Sequence, residues 1–179
     1  MYAFFYVPRE TLKLNQINVP RGTLRNYFPG NNFGGYMNEK YMKMAVKEAE
    51  KALKTDEMPV GCVIVYKNKI IGRGYNKKEK NKNSLMHAEL NAINKACKFI
   101  GDWRLNECEM YVTLEPCIMC MGAIIESRIR NVYCGVINKK SHDLNQIIIK
   151  NENVKLTYNI LSDLVSDQLN IFFSNIRNR

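Results

Sequence analysis

Apolar residues recur at helical spacing through Met42, Ala45, Val46, Ala49, Ala52 and Leu53, which predicts a first helix with Asn38 as its N-cap. The period then changes. Residues 59–66 are an almost unbroken apolar run, Lys67, Asn68 and Lys69 interrupt it, and residues 70–76 follow, so a strand, a tight turn and a second strand are expected. An unbroken run of this kind suits a strand buried on both faces. The polar stretch over 77–83 reads as a loop, with Ser84 capping a helix over 85–99. Further on, 110–113 predicts a short strand, 117–127 a helix, 131–136 a fourth strand and 154–157 a fifth. Leu161, Leu164, Val165, Leu169, Phe172, Phe173 and Ile176 form the cleanest helical stripe of the chain. Strands alternating with helices imply an α/β layered fold whose sheet is largely parallel after the opening hairpin.

Residues 1–36 carry no sustained apolar period and are punctuated by Pro20, Pro29, Gly30, Gly34 and Gly35. They are expected to be a disordered or non-native extension ahead of one domain over 37–179. Gly34-Gly35-Tyr36 can be encoded by GGA-GGN-TAY, a ribosome-binding sequence just before Met37, which makes Met37 the expected native start. The 179 residues, 46% of them hydrophobic, suit a single domain with a sizeable core. No apolar run approaches the roughly 18–20 residues of a membrane span, and the opening residues are cut by Pro8, so a soluble cytoplasmic protein is expected. Six cysteines in a chain of this length fit a reducing compartment better than a disulfide scaffold, with Cys62, Cys97, Cys108 and Cys134 as small buried apolar residues. The net charge is +10; residues 1–36 hold four basic and one acidic residue, +3, which leaves +7 on the rest. That excess suits a polyanionic partner, although a solvated charged face has the same composition.

Two short words carry the chemistry. His87-Ala88-Glu89 sets an imidazole and a carboxylate two residues apart, and Pro116-Cys117-Ile118-Met119-Cys120 sets two thiols at C-x-x-C spacing. Alone, a C-x-x-C serves equally as a redox pair or half of a zinc finger. Jointly the words offer His87, Cys117 and Cys120 as three zinc ligands, with Glu89 as a proton carrier. Three protein ligands leave zinc a fourth position for water, whose pKa falls to about 7 there. Both words open predicted helices, where unpaired N–H groups and the positive dipole end favour thiolates. A closed structural site would need one more ligand, and the only other histidine is His142, in the expected loop after the fourth strand.

H-x-E with P-C-x-x-C is the signature of the zinc nucleobase deaminases. The wording around it, from His87 to Ile93 and from Thr113 to Ile124, resembles the bacterial tRNA-specific adenosine deaminases of the cytidine deaminase superfamily, and the likeness extends from about Met37 to the C-terminus. The resemblance implies a three-layer α/β/α cytidine-deaminase-like fold with a central mixed five-stranded sheet, one zinc ion per subunit and a homodimer. It also implies hydrolysis of adenosine to inosine at the wobble position of a tRNA anticodon, with arginine tRNA the first candidate. By the same resemblance Asn76 hydrogen-bonds the extruded base, the Ala88 backbone and Glu115 line the site, and Val60 forms an apolar wall, a position equally suited to strand core. Asn138, Lys140, Phe172, Phe173 and Arg177 are expected near the anticodon, and the lysines of 77–82 near phosphates, while the two phenylalanines also suit a helix core.

One departure stands out. The family usually continues Gly-Ala-x-Asp-x-Lys into a glycine-rich tail, whereas this chain reads Gly135-Val136-Ile137-Asn138-Lys139-Lys140 with no glycines after it. Loss of the carboxylate removes repulsion toward phosphate and an acceptor for a ribose hydroxyl, which leaves the exact substrate open and predicts readier use of single-stranded DNA. Two other readings share these residues. One is a deaminase of free cytosine, guanine or deoxycytidylate, and the other is a zinc-containing RNA-binding subunit, which could dispense with Glu89.

Overall fold

A computed structural model describes residues 33–151 and 153–177, so the extension expected over 1–36 lies outside the described residues up to 32. In chain order the elements are α1 (Phe33–Leu53), β1 (Gly61–Tyr66), β2 (Lys69–Tyr75), α2 (Lys78–Asn81), α3 (Ala88–Ile100), β3 (Cys108–Leu114), α4 (Ile118–Glu126), β4 (Asn131–Val136), α5 (His142–Asn151), β5 (Lys155–Thr157) and α6 (Ser162–Arg177). Lys67 and Asn68 both take positive φ, at 46° and 61°. This makes the β1–β2 connection a two-residue turn of the mirror-image type, whose twist matches that of the flanking strands.

The sheet runs β2-β1-β3-β4-β5. β1 pairs antiparallel with both β2 and β3, and only β3, β4 and β5 are mutually parallel, joined by crossovers through α4 and α5. Alternate residues of the inner strands feed two cores. Cys62, Ile64, Met110 and Val112 pack with Ala88, Ala92 and Ala96 of α3 and Ile124 of α4, while Val63, Val65 and Tyr111 pack with Tyr41, Met42 and Ala45 of α1. Val165 and Leu169 of α6 meet Val46 and Val136 on the α1 side. The result is the expected three-layer α/β/α arrangement around a mixed five-stranded sheet, with β1 buried on both faces.

Glycines in β2 set how close α3 comes. A Cβ at Gly74 would overlap the carbonyl oxygen of Ala88, and one at Gly72 that of Ala92. Their absence lets the first turn of α3 lie directly on the strand.

Four local expectations are corrected. α1 begins at Phe33, so Asn38 lies inside the helix rather than capping it, and its Oδ1 accepts the Tyr111 hydroxyl at 3.0 Å. Packing of Tyr41, Met42 and Ala45 outweighs the low helix propensity of Gly34 and Gly35. The polar loop over 77–83 contains the short helix α2, held by the buried Glu57, whose Oε1 accepts the Lys80 N–H at 2.8 Å. α3 starts at Ala88 rather than near Leu85, and the loop expected after β4 contains α5. All six cysteines are free, with Cys62, Cys108 and Cys134 buried and Cys97 half-buried. Among the described residues no helix is long and apolar enough to cross a membrane.

Candidate active site

His87 and Cys117 occupy equivalent places. Each is the N-cap residue of its helix, with extended backbone (φ −78°, ψ 155° and φ −72°, ψ 169°), and neither side chain caps the helix it precedes. Capping residues ordinarily turn a side-chain oxygen back onto the helix. Here both side chains turn to each other instead: His87 Nδ1 lies 3.6 Å from Cys117 Sγ and 3.5 Å from Cys120 Sγ. The N–H left open at the start of α3 is satisfied from outside, by Asn76 Oδ1, which accepts the Ala88 N–H at 3.0 Å. Asn76 is buried at the end of β2, so its oxygen is committed to the helix and its amide N–H2 is left for other partners.

The three ligand atoms lie within 4.8 Å of one another, the one such group among the described residues. Zinc–sulfur and zinc–nitrogen bonds of about 2.3 and 2.0–2.1 Å at tetrahedral angles place S and N about 3.6 Å apart. The observed 3.5 and 3.6 Å therefore fit that ion. His142, the other histidine, is not in this group: its Nδ1 lies 3.1 and 3.2 Å from the Glu115 carboxylate oxygens.

Electrostatics separates the neighbours. A hydrogen bond from the Cys120 thiol, together with His87, pulls Cys117 down to about 4, while that same bond and burial hold Cys120 well above the usual thiol range. The hydrogen bond to Cys117 raises His87. Glu89 is 3% exposed, and burial, aided by the negative charge of Cys117, lifts its carboxyl to about 7. Its Oε2 has no hydrogen-bond partner. A buried carboxyl with an unengaged oxygen, beside a histidine and two thiols at the start of two helices, can accept and return a proton.

The model of the MafB19-like deaminase family matches residues 37–169. A tRNA-specific adenosine deaminase of Streptococcus pyogenes serotype M18 is 41% identical over 145 residues, covering 78% of this chain and 91% of the relative. The chain belongs to the tRNA-specific adenosine deaminase family. The Bacillus subtilis member is 38% identical over 148 residues, covering 79% of this chain and 92% of its own. A solved structure from work on A-to-I editing by tRNA:A34 deaminases superposes with a TM-score of 0.68 at 30% identity, covering 73% of this chain and 99% of that one.

The other positions that the deaminase resemblance singles out are distributed unevenly. Ala88 is fully buried, its N–H bound by Asn76 Oδ1 and its carbonyl oxygen against Gly74, and Val60 is buried in the core shared by α3 and the sheet. Glu115 is buried to 1% and turned away from the ligand group: its oxygens accept the Asn138 N–H (3.0 Å), Asn145 Nδ2 (3.1 Å) and the Tyr158 hydroxyl (3.0 Å), and face His142 Nδ1. Asn138 is folded into the same cluster, with Nδ2 donating to the Glu115 carbonyl at 3.4 Å and Oδ1 accepting the Lys140 N–H at 3.2 Å. Lys140 is exposed. Phe173 packs against the α1–α6 core, Phe172 meets it edge-on at 5.5 Å between ring centroids, and the exposed Arg177 donates to Ser174 Oγ. Sequence reasoning missed Asn145 and Tyr158. Asn145 is fully buried on a helix that the apolar period does not mark, and the half-buried Tyr158 lies just past the expected fifth strand, where the residue type alone gives no sign of a partner.

Proposed function

We infer that this chain hydrolyses adenosine to inosine at the wobble position of a tRNA anticodon, with Glu89 as the acid/base and zinc on His87, Cys117 and Cys120. The carrying observation is the grouping of those three ligand atoms beside a buried Glu89 that keeps one oxygen unengaged, in a chain of this family. Zinc bound there supplies Lewis acidity that brings the pKa of a water to about 7. Glu89 takes one proton of the attacking water and delivers it to the adenine ring nitrogen as oxygen bonds to C6; it then carries the proton of the new C6 hydroxyl to the amine, so the C6–N bond breaks, the hydroxyl becomes the inosine carbonyl and ammonia leaves. Asn76 holds the first turn of α3 through its oxygen and turns its N–H2 toward the base. The adenosine reaches this recess only after leaving its loop.

Lysines 77, 78, 80 and 82, with Lys140 and Arg177, supply positive charge for the RNA backbone, in a chain of net charge +10. A homodimer accords with the exposed apolar side chains Ile118 and Met119 of α4 and Leu144 and Ile147 of α5. A cytoplasmic place follows from tRNA as substrate. The test is to incubate zinc-loaded protein with unmodified arginine tRNA bearing an A-C-G anticodon and read inosine at the wobble position by sequencing. Inosine is expected with the natural chain and not with Glu89→Ala, which retains its zinc. No inosine from a zinc-replete natural chain would overturn the substrate assignment and move the assay to free guanine, cytosine and deoxycytidylate.

A further inference from the structure

Asn145 is fully buried on α5, yet its Oδ1 has no hydrogen-bond partner. An amide is an unfavourable occupant of such a place unless its other end is needed. That end is fully used: Nδ2 donates to Glu115 Oε1 at 3.1 Å and to the carbonyl oxygen of Pro116 at 2.9 Å. The reverse orientation would set an oxygen against a carboxylate and a carbonyl, so the donors define how the amide lies. Ser141 Oγ reaches the same Pro116 carbonyl at 3.3 Å.

We propose that Asn145 is a positioning residue for the metal ligand Cys117, acting through the Pro116 carbonyl. The Pro116 carbonyl and the Cys117 nitrogen belong to one planar peptide unit, so holding the carbonyl holds the plane from which the Cys117 side chain springs. On its other side Cys117 is tied into α4, its carbonyl accepting the Met121 N–H at 2.8 Å. Glu115 anchors the amide from below and is itself held by the Asn138 N–H and by the Tyr158 hydroxyl, which Gln146 Nε2 supports at 3.0 Å. α5 therefore braces the thiolate from a helix that supplies no ligand. This inference rests on the zinc reading above.

The experiment measures zinc affinity by competition with a chromophoric chelator, and the thiolate-to-metal absorption of the cobalt-substituted protein. The variants are Asn145→Ala, Tyr158→Phe and a matched control, Gln168→Ala. Gln168 is a buried amide on α6 that likewise leaves its oxygen unpartnered and donates to the Val46 carbonyl at 3.4 Å, on the opposite layer. Asn145→Ala is expected to weaken zinc about 10- to 100-fold and to shift the cobalt spectrum, as loss of groups that orient ligands commonly does. Tyr158→Phe is expected to shift both in the same direction by less, and Gln168→Ala to lower thermal stability with affinity and spectrum unchanged. Unchanged affinity and spectrum in folded Asn145→Ala would overturn the proposal; if that variant does not fold, unchanged values in Tyr158→Phe overturn it. A natural chain that takes up no zinc would overturn the zinc reading itself and this inference with it.

Discussion

Glu89 and Glu115 are buried to nearly the same degree, 3% and 1% exposed, and each lies two residues from a candidate ligand, Glu89 after His87 and Glu115 before Cys117, yet they are opposites chemically. Glu115 has both oxygens engaged by donors from β5's end, α5 and the turn before it. Glu89 has one oxygen with no partner, and burial lifts its carboxyl to about 7. A satisfied buried carboxylate organises chain, while an unsatisfied one stores the capacity to change protonation state. Burial alone therefore does not identify a catalytic acid. The count of donors around it is what separates these two.

The sharpest way to break this contrast is to replace each carboxylate with its amide. Glu89→Gln is expected to lower the single-turnover rate of inosine formation by about 10²- to 10⁴-fold, the usual worth of a positioned acid/base. That corresponds to roughly 3–5 kcal/mol of barrier. Its melting temperature should not fall, because the exchange breaks no described hydrogen bond at Oε2. A fall in melting temperature as large as that of the Glu115 variant, with turnover retained, would make Glu89 a structural residue.

Glu115→Gln should show the reverse. An N–H2 in place of Oε1 meets the Tyr158 hydroxyl and the Asn145 amide, and one in place of Oε2 meets the Asn138 N–H, so either way donor opposes donor. Loss of about 3 kcal/mol is expected, from one charged-acceptor bond broken and one buried donor left without a partner. For a domain of this size that is a drop of roughly 6–12 °C in melting temperature, read by calorimetry. With excess zinc below the transition the rate should return to within a few-fold of the natural chain. A rate that stays depressed by 10²-fold or more at saturating zinc would put Glu115 in the chemistry.

The same contrast explains what could be read from residues alone. The grouping of His87, Cys117 and Cys120 was legible because the proposed metal site needs particular side chains at particular spacings, and the strands and main helices because their buried positions are apolar. α5 was not legible because the buried residue of its first turn is Asn145, with the buried Ser141 just ahead of the helix, whereas Leu144 and Ile147 stand in solvent. An apolar period does not register a helix whose first turn buries an amide. The start of α3 was misplaced for a related reason: Ser84 is the stronger capping residue by type, but the helix opens at His87 and takes its cap from Asn76, just past β2. Capping across a dozen residues leaves no local signature.

The smallest expected effect tests the departure at position 138. The family resemblance expects a carboxylate here that faces substrate, but Asn138 donates through Nδ2 to the Glu115 carbonyl and sends its backbone N–H to the Glu115 carboxylate. Asn138→Asp would lose the side-chain donor and bring a second negative charge to that carboxylate, while keeping an acceptor for the Lys140 N–H. The bond lost is long, at 3.4 Å, and the side chain is only half-buried, so a destabilisation of about 1 kcal/mol or less is expected. Melting temperature and KM for a tRNA anticodon stem-loop separate the two roles. A small fall in melting temperature with KM unchanged assigns Asn138 to the Glu115 cluster. A several-fold change in KM with stability untouched would return it to the substrate, and would mean that its amide leaves Glu115 when RNA binds.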